Sequence, residues 1–261
     1  MAFTVHAVMP GVWHIVDCMG VCMTLLEGEN AAMLVDTGYG IEDVGDFMRH
    51  MTDLPLTVFL THNHHDHAMG ARCFPETYML EADMADWRMF TDDKMRRRVL
   101  TQAIGKNLPV DEKTFLAGEI PLPKVMKPGV IDLGGLTAEI IEAPGHTPGS
   151  AVVYVPERKL LLSGDDWNPC TWLFFPQALG LREYRSNMRG IQQLPFEKVL
   201  CPHREALYDR WMFDDFFNAL TDGNLRAAEP VNIAPYEQID TCQATLPHDQ
   251  VLVFDWAKSG L

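Results

Sequence analysis

The chain has 261 residues, 47% of them hydrophobic and 22% charged, a balance that suits one large folded domain and excludes an intrinsically disordered chain. Its formal net charge of −15 leaves no extended cationic face for nucleic acid, which is bound by clustered lysine and arginine. No apolar run is long enough to cross a bilayer, and the opening MAFTVHAVMPGVW lacks a basic segment followed by an apolar one; the expectation is a cytoplasmic protein with neither membrane span nor secretory leader.

The first third reads as strands. Gly11–Val16 and Cys22–Glu27 precede a Gly28-Glu29-Asn30 turn, and Ala31–Asp36 is an apolar run ending on an acid. Helical spacing covers Ile41–Met51, and Leu56–Leu60 is a short strand. It delivers the chain to Thr61-His62-Asn63-His64-His65-Asp66-His67, with a helix expected from about Ala68. After a strand at Tyr78–Leu80, residues 81–128 are rich in Met, aromatic and charged residues and read as a mostly helical insertion, a lid, pocket wall or dimer contact. Within it the run Arg96-Arg97-Arg98 reads as a solvated helix face.

The second half repeats the rhythm. Thr137–Glu142 alternates into Pro144-Gly145-His146, and Ala151–Val155 pairs with Leu160–Asp165 across Pro156-Glu157-Arg158. A helix covers Tyr184–Gln193, a strand Val199–His203, a helix Phe213–Asn224 and a last strand Gln250–Phe254. Paired strands ending in an acid or a histidine, each followed by a helix, suggest two sheets back to back with helices outside, in a single domain spanning residues 1–261. Six cysteines, none in a C-x-x-C motif, read as reduced thiols.

The chemistry concentrates in residues 62–67. On an extended segment alternate side chains share a side, so His62 and His64 project together, and a turn beyond them brings Asp66 and His67 round. Imidazoles with a carboxylate make a nitrogen and oxygen site suited to zinc, iron or manganese.

The pattern T-H-x-H-x-D-H resembles the signature loop of the metallo-β-lactamase superfamily, and three later positions match that family in order. His146, in Pro144-Gly145-His146-Thr147-Pro148-Gly149, is similar to its second ligand motif. Asp165, in Ser163-Gly164-Asp165, resembles its bridging carboxylate, and His203, in Cys201-Pro202-His203, its last ligand. The resemblance spans roughly residues 10–205. It implies an αββα sandwich of two mixed β-sheets with outer helices. It also implies two divalent ions, zinc foremost with iron or manganese as alternatives. His62, His64 and His146 would hold one ion, Asp66, His67 and His203 the other, with Asp165 and a water or hydroxide between them. Asp165 is favoured over the adjacent Asp166 because it fits the family motif, and His65 is expected to point away. Asp36 is expected to support the metal loop from behind.

The implied activity is hydrolysis of a small ester, thioester or lactone, with Asp66 as a catalytic carboxylate. Phosphodiesterase, β-lactamase and mono-iron persulfide dioxygenase chemistry are the alternatives within the same superfamily. The ligand order is that of glyoxalase II enzymes, but the region from Trp211 onward carries only Arg226 and Lys258 as basic residues, which disfavours a glutathione carrier. Trp167, Trp172, Phe174 and Phe175 are expected to line an apolar substrate wall, with Tyr184 and Tyr208 as candidate hydroxyl donors to the substrate. The acidic net charge, and the lack of Lys or Arg in the ligand motifs beyond Arg204, point to a neutral or amphipathic substrate. A small-molecule substrate is the expected partner, with a homodimer as a further option.

Overall fold

The computed structural model describes residues 3–261. Its first sheet takes the strands in chain order: β1 (Thr4–Met9), β2 (Val12–Val16), β3 (Cys22–Glu27), β4 (Ala32–Val35), β5 (Leu56–Phe59), β6 (Tyr78–Met79) and β7 (Lys124–Val125). The first four are antiparallel, and β4, β5, β6 and β7 run parallel. The second sheet is built from β8 (Gly129–Asp132), β9 (Thr137–Glu142), β10 (Ala151–Val155), β11 (Leu160–Leu162), β13 (Lys198–Leu200) and β14 (Tyr208–Asp209), with β11 and β13 parallel. A third sheet joins β12 (Cys170–Leu173) to β15 (Glu229–Pro230), β16 (Thr241–Leu246) and β17 (Gln250–Asp255), in the order β12-β17-β16-β15.

The strand period explains the layers. Met33 and Val35 of β4 face inward with Leu26 and Phe59, against Ile140, Val153, Leu160 and Leu200 of the second sheet. The alternate residues Leu25, Leu34 and Val58 face outward and pack under Val44 and Met48 of α1 (Val44–Met51). Both faces of β4 are therefore covered, which is why it reads as an unbroken apolar run. The outer face of the second sheet, through Val152, Leu161 and Val199, meets Tyr184 and Met188 of a helix at Leu181–Ile191, Phe213 and Phe216 of one at Arg210–Ala219, and Leu252 and Phe254 of β17. Each buried apolar side chain contributes about 1.5–3 kcal/mol. The αββα core of two mixed sheets is thus present, and the third sheet extends its second face.

Several boundaries differ from the sequence reading. The helix expected from Ala68 begins at His65, because His64 is extended (φ −64, ψ 147) and ends the strand direction there. The expected helix Phe213–Asn224 is two, since Thr221 Oγ1 accepts from Asn224 N at 3.2 Å and starts a new turn at Asp222–Arg226. Residues 81–128 hold helices at Trp87–Thr91, Asp93–Gly105 and Glu112–Phe115, packed on Ala68, Met69 and Met79. The expected solvated face at Arg96–Arg98 is corrected at Arg96, which is 1% exposed. Its guanidinium donates to the carbonyls of Phe115, Ala117 and Gly118 and so holds that turn. All six cysteines are free, and among the described residues no helix is long and apolar enough to cross a membrane.

Candidate metal centre

Both sheets end at one edge, and the ligand candidates leave them there. β5 ends at Phe59, the chain bends at Thr61 and His62, His62 and His64 converge in one nest, and the turn at His65–Ala68 swings Asp66 and His67 in behind them. The loop after β9 carries His146, the turn after β11 carries Asp165, and the segment after β13 carries His203. Gly164 takes φ +51, and a side chain there would crowd Thr61; its left-handed turn aims Asp165 at the ligand loop.

Two nests result. His62, His64, His146 and Asp165 bring their donor atoms within 4.8 Å of one another, and so do Asp66, His67 and His203. Asp165 touches both: Oδ2 lies 3.5 Å from His146 Nε2, 3.1 Å from His203 Nε2 and 4.0 Å from His62 Nε2, while Oδ1 lies 3.4 Å from His67 Nε2. Asp66 Oδ2 lies 3.6 Å from His67 Nε2 and 3.7 Å from His203 Nε2.

The far sides of four of the five imidazoles are held by the fold. His62 Nδ1 meets Thr61 Oγ1 at 3.0 Å, His146 Nδ1 donates to the Trp172 carbonyl at 2.7 Å, and His67 Nδ1 donates to Asp36 Oδ2 at 3.0 Å. The Gln177 amide sits 2.7 Å from His64 Nε2, leaving Nδ1 to face His146. Such partners fix tautomer and ring orientation. Asp36 adopts φ +66 and also accepts from Thr61 N at 2.7 Å and from its hydroxyl. One carboxylate in a left-handed turn thereby positions both the first ligand strand and His67.

Three inward atoms, His62 Nε2, His67 Nε2 and Asp165 Oδ1, are buried with no hydrogen-bond partner. Buried polar atoms are almost always satisfied, and three such atoms converging from two loops fit divalent ions. The electrostatics agree. Burial, with His67 and His64 nearby, holds His62 well below the ordinary imidazole range, and burial also lowers His64 and His146. These three are neutral at pH 7, the form that binds metal. At His67 burial opposes charge, but Asp165, Asp66 and Asp36 outweigh it and raise the imidazole well above its usual value. Burial likewise opposes ionisation of Asp66, yet His67, His65 and His203 bring its carboxyl down to about 2.

Asp166 points elsewhere. Its Oδ1 accepts from His146 N at 3.1 Å and burial pushes its pKa well up, so it supports the His146 loop and stays outside both nests. His65 lies in neither nest; its ring packs edge-on to Tyr39 at 5.5 Å.

The nests floor an open cleft of about 480 Å³, within the usual range of small-molecule sites. Of the expected wall residues, Trp172 and Phe175 line it. Trp167, Phe174, Tyr184 and Tyr208 do not, and the expectation is corrected at each. Trp167 is buried against Tyr208 and Phe213. Phe174 stacks beneath Phe175 at 4.7 Å. Tyr184 sits in the core with its hydroxyl donating to the Asp166 carbonyl. Tyr208 packs edge-on to Trp167, away from the cleft. On β12 Thr171 and Leu173 are buried and Trp172 is exposed, as strand alternation requires, and beyond the strand's end Phe174 turns to the core and Phe175 to the cleft.

Sequence reasoning missed Asp83. Its Oδ2 accepts from Asn63 N at 3.1 Å and from Thr147 Oγ1 at 2.7 Å, and its Oδ1 from Gly149 N at 2.6 Å. It staples the first ligand loop to the second, and burial raises its carboxyl to about 6. A side chain at Gly149 would collide with the Asp83 backbone and carboxyl. No spacing in the sequence marks Asp83; the glycine at position 149 is its only trace. Phe90, Arg98, Gln102 and Tyr236, which also line the cleft, carried no motif either.

Fold and site together define an αββα protein with paired histidine and carboxylate nests at the edge where its sheets meet. A family model described as the metallo-beta-lactamase superfamily matches residues 16–203, and the chain belongs to that superfamily. It is 26% identical over 202 residues to the acyl-coenzyme A thioesterase MBLAC2 of Gallus gallus, covering 69% of this chain and 70% of that protein. Among solved structures it resembles a metallo-beta-lactamase from Pontibacter korlensis, with a TM-score of 0.58 and 18% identity, covering 84% of this chain and 99% of that one. It also resembles a metallo-beta-lactamase family protein from Thermus thermophilus, with a TM-score of 0.59 and 18% identity, covering 85% of this chain and 82% of that one. At these identities the structural likeness speaks for the fold alone.

Proposed function

We propose that the chain is a metal-dependent hydrolase that cleaves an ester, thioester or lactone, with two divalent ions, zinc foremost, as its cofactors. The observation that carries this reading is the convergence of buried, unpartnered His62 Nε2, His67 Nε2 and Asp165 Oδ1 beneath an open cleft. His62, His64 and His146 would hold one ion and Asp66, His67 and His203 the other, with Asp165 serving both. Bound divalent ions supply Lewis acidity, bringing the pKa of water near neutrality and polarising an acyl oxygen.

The protein's own residues do the rest. Thr61, Asp36, Gln177 and the Trp172 carbonyl hold the imidazoles in one tautomer each. Asp66 is ionised and borders the cleft, so it can take the proton given up by attacking water and pass it to the leaving group. Phe90, Phe175 and Trp172 exclude water beside His64 and His146. The chicken relative's name favours a thioester among the candidate bonds.

The test is a panel of thioester, ester, lactone, β-lactam and phosphodiester substrates, with and without chelator. Chelator-sensitive cleavage of a thioester, ester or lactone is expected. Activity confined to phosphodiesters, or oxygen uptake on a persulfide in place of hydrolysis, would overturn the reading.

A further inference from the structure

The cleft has two unlike sides. Beside the first nest, Phe90 and Phe175 lie 4.5 Å and 4.8 Å from the His64 ring, Trp172 stands next to Phe175, and Tyr236 reaches over it edge-on at 5.4 Å. Beside the second nest the lining turns cationic, because Arg204 follows His203 directly and Arg98 comes in from the helix Asp93–Gly105 with Gln102.

Helix geometry sorts the three consecutive arginines. At 3.6 residues per turn, positions 96 and 98 face nearly opposite ways, while 98 and 102 share a face. Arg96 is turned inward and spent on backbone carbonyls. Arg98 is exposed and, among the described residues, has no ion pair and no hydrogen bond, although acidic side chains outnumber basic ones 36 to 21. Its charge reaches Tyr39 and His65 on the cleft wall. Arg204 donates only to the carbonyl of its neighbour His203, at 2.8 Å, and keeps the rest of its guanidinium free. The overall charge of −15 therefore misdescribes the cleft, whose polar side offers two planar cations suited to carboxylate or phosphate oxygens.

We propose that the cleft selects an acyl ester or thioester with one apolar arm, lying on Phe90, Trp172, Phe175 and Tyr236, and one anionic arm, ending in a carboxylate or phosphate held by Arg98 and Arg204. This deepens the hydrolase reading and rests on it for the bond cleaved, but not for recognition of the two arms. In the reaction water adds to the carbonyl carbon, the carbon–sulfur or carbon–oxygen bond breaks, and one proton goes to the departing thiol or alcohol. The other product is a carboxylic acid, which ionises.

The test uses matched probes. Butyryl and succinyl thioesters of one aryl thiol differ by a carboxylate on the acyl arm; butyryl thioesters of a thiol with and without a terminal phosphate differ on the other arm. Wild-type protein should prefer the charged member of at least one pair by about tenfold or more in kcat/KM, expressed in KM, the size expected of a charged hydrogen bond. The pair that shows the preference identifies the anion. Arg98→Gln should bring the ratio close to one, and Arg98→Lys should restore part of it. No preference in either pair, or a ratio unchanged in Arg98→Gln, contradicts the proposal. The corresponding thioethers, which cannot be hydrolysed, separate it from the reaction when titrated by intrinsic tryptophan fluorescence. Tighter binding of the charged thioether without thioester cleavage would sink the hydrolase reading and sustain this one; cleavage without charge preference would do the reverse.

Discussion

The ligand loops and the cleft walls sit within one site and are built on opposite plans. In the loops His62, His64, His67 and His146 are buried and held from behind by a hydroxyl, carboxylate, amide or carbonyl, and Asp83 ties two loops together. The walls are assembled from Phe90 on the short helix Trp87–Thr91, Arg98 on the helix Asp93–Gly105, Trp172 and Phe175 at the edge of the third sheet, and Tyr236 in the tail, with far fewer hydrogen bonds. The lesson is that the chemistry is over-determined locally while recognition rests on residues with few internal partners. Disturbing a loop should damage metal binding and rate together; disturbing a wall should change only which substrate is taken.

The sharpest way to break that contrast is Asp165→Ala, which removes the one carboxylate reaching both nests. Metal content should drop below one ion per chain. Losing the several kcal/mol that metal-ion catalysis supplies should cut kcat/KM by about 10³ or more, at ~1.4 kcal/mol per decade. Near-normal turnover at full metal content would dissolve the distinction.

Next in size is Asp36→Asn, which keeps a residue tolerant of φ +66 but removes the charge behind His67. Metal affinity should weaken by roughly 10–100-fold, read by competition with a chromogenic chelator. The loss should fall mainly on the binding step that uses His67, because His64 and His146 keep their own supports and Asp36 reaches His62 only through Thr61. Equal weakening of both steps would show that the nests are not separately held.

Asp83 tests the staple through pH. Its folded carboxyl is raised to about 6 from an ordinary 3.8, so ionising it costs the folded state. Its contribution is most favourable below about pH 4 and is lost as pH rises through 6. Over that window wild type should lose about 3 kcal/mol of stability relative to Asp83→Asn, at about 1.4 kcal/mol for each tenfold change in proton affinity. Denaturant midpoints at several pH values report it, and a flat difference would remove the staple's buried charge from the account.

The smallest effect belongs to a wall. Trp172→Ala should raise KM for an apolar acyl probe by about tenfold, as expected from losing half-exposed aromatic surface, with metal content unchanged. Its carbonyl, not its ring, supports His146. Loss of metal in this variant would merge wall and loop.

How much of this could be read from the chain follows the same division. Strand ends carrying His or Asp are local events with fixed spacing, and the segments leading to His62, His146, Asp165 and His203 were legible from apolar runs of β length. Gly129–Asp132 was not, because the strand is largely exposed and has no inward face to betray it. Thr241–Leu246 was missed because Thr, Gln and Thr interrupt it, although four of its six residues are buried. The aromatic run after Asp165 was legible as apolar but not as to side: Trp167 and Phe174 went to the core, Trp172 and Phe175 to the cleft. Asp83 and Arg98 act only across long sequence separations, where no one-dimensional spacing records them.

The central claim, that two supported nests each hold an ion, is tested most directly by elemental analysis of protein purified without chelator and then reconstituted with zinc, beside Asp66→Ala. The account predicts close to two equivalents for the wild type and close to one for the variant. At most a trace in both after reconstitution would contradict it.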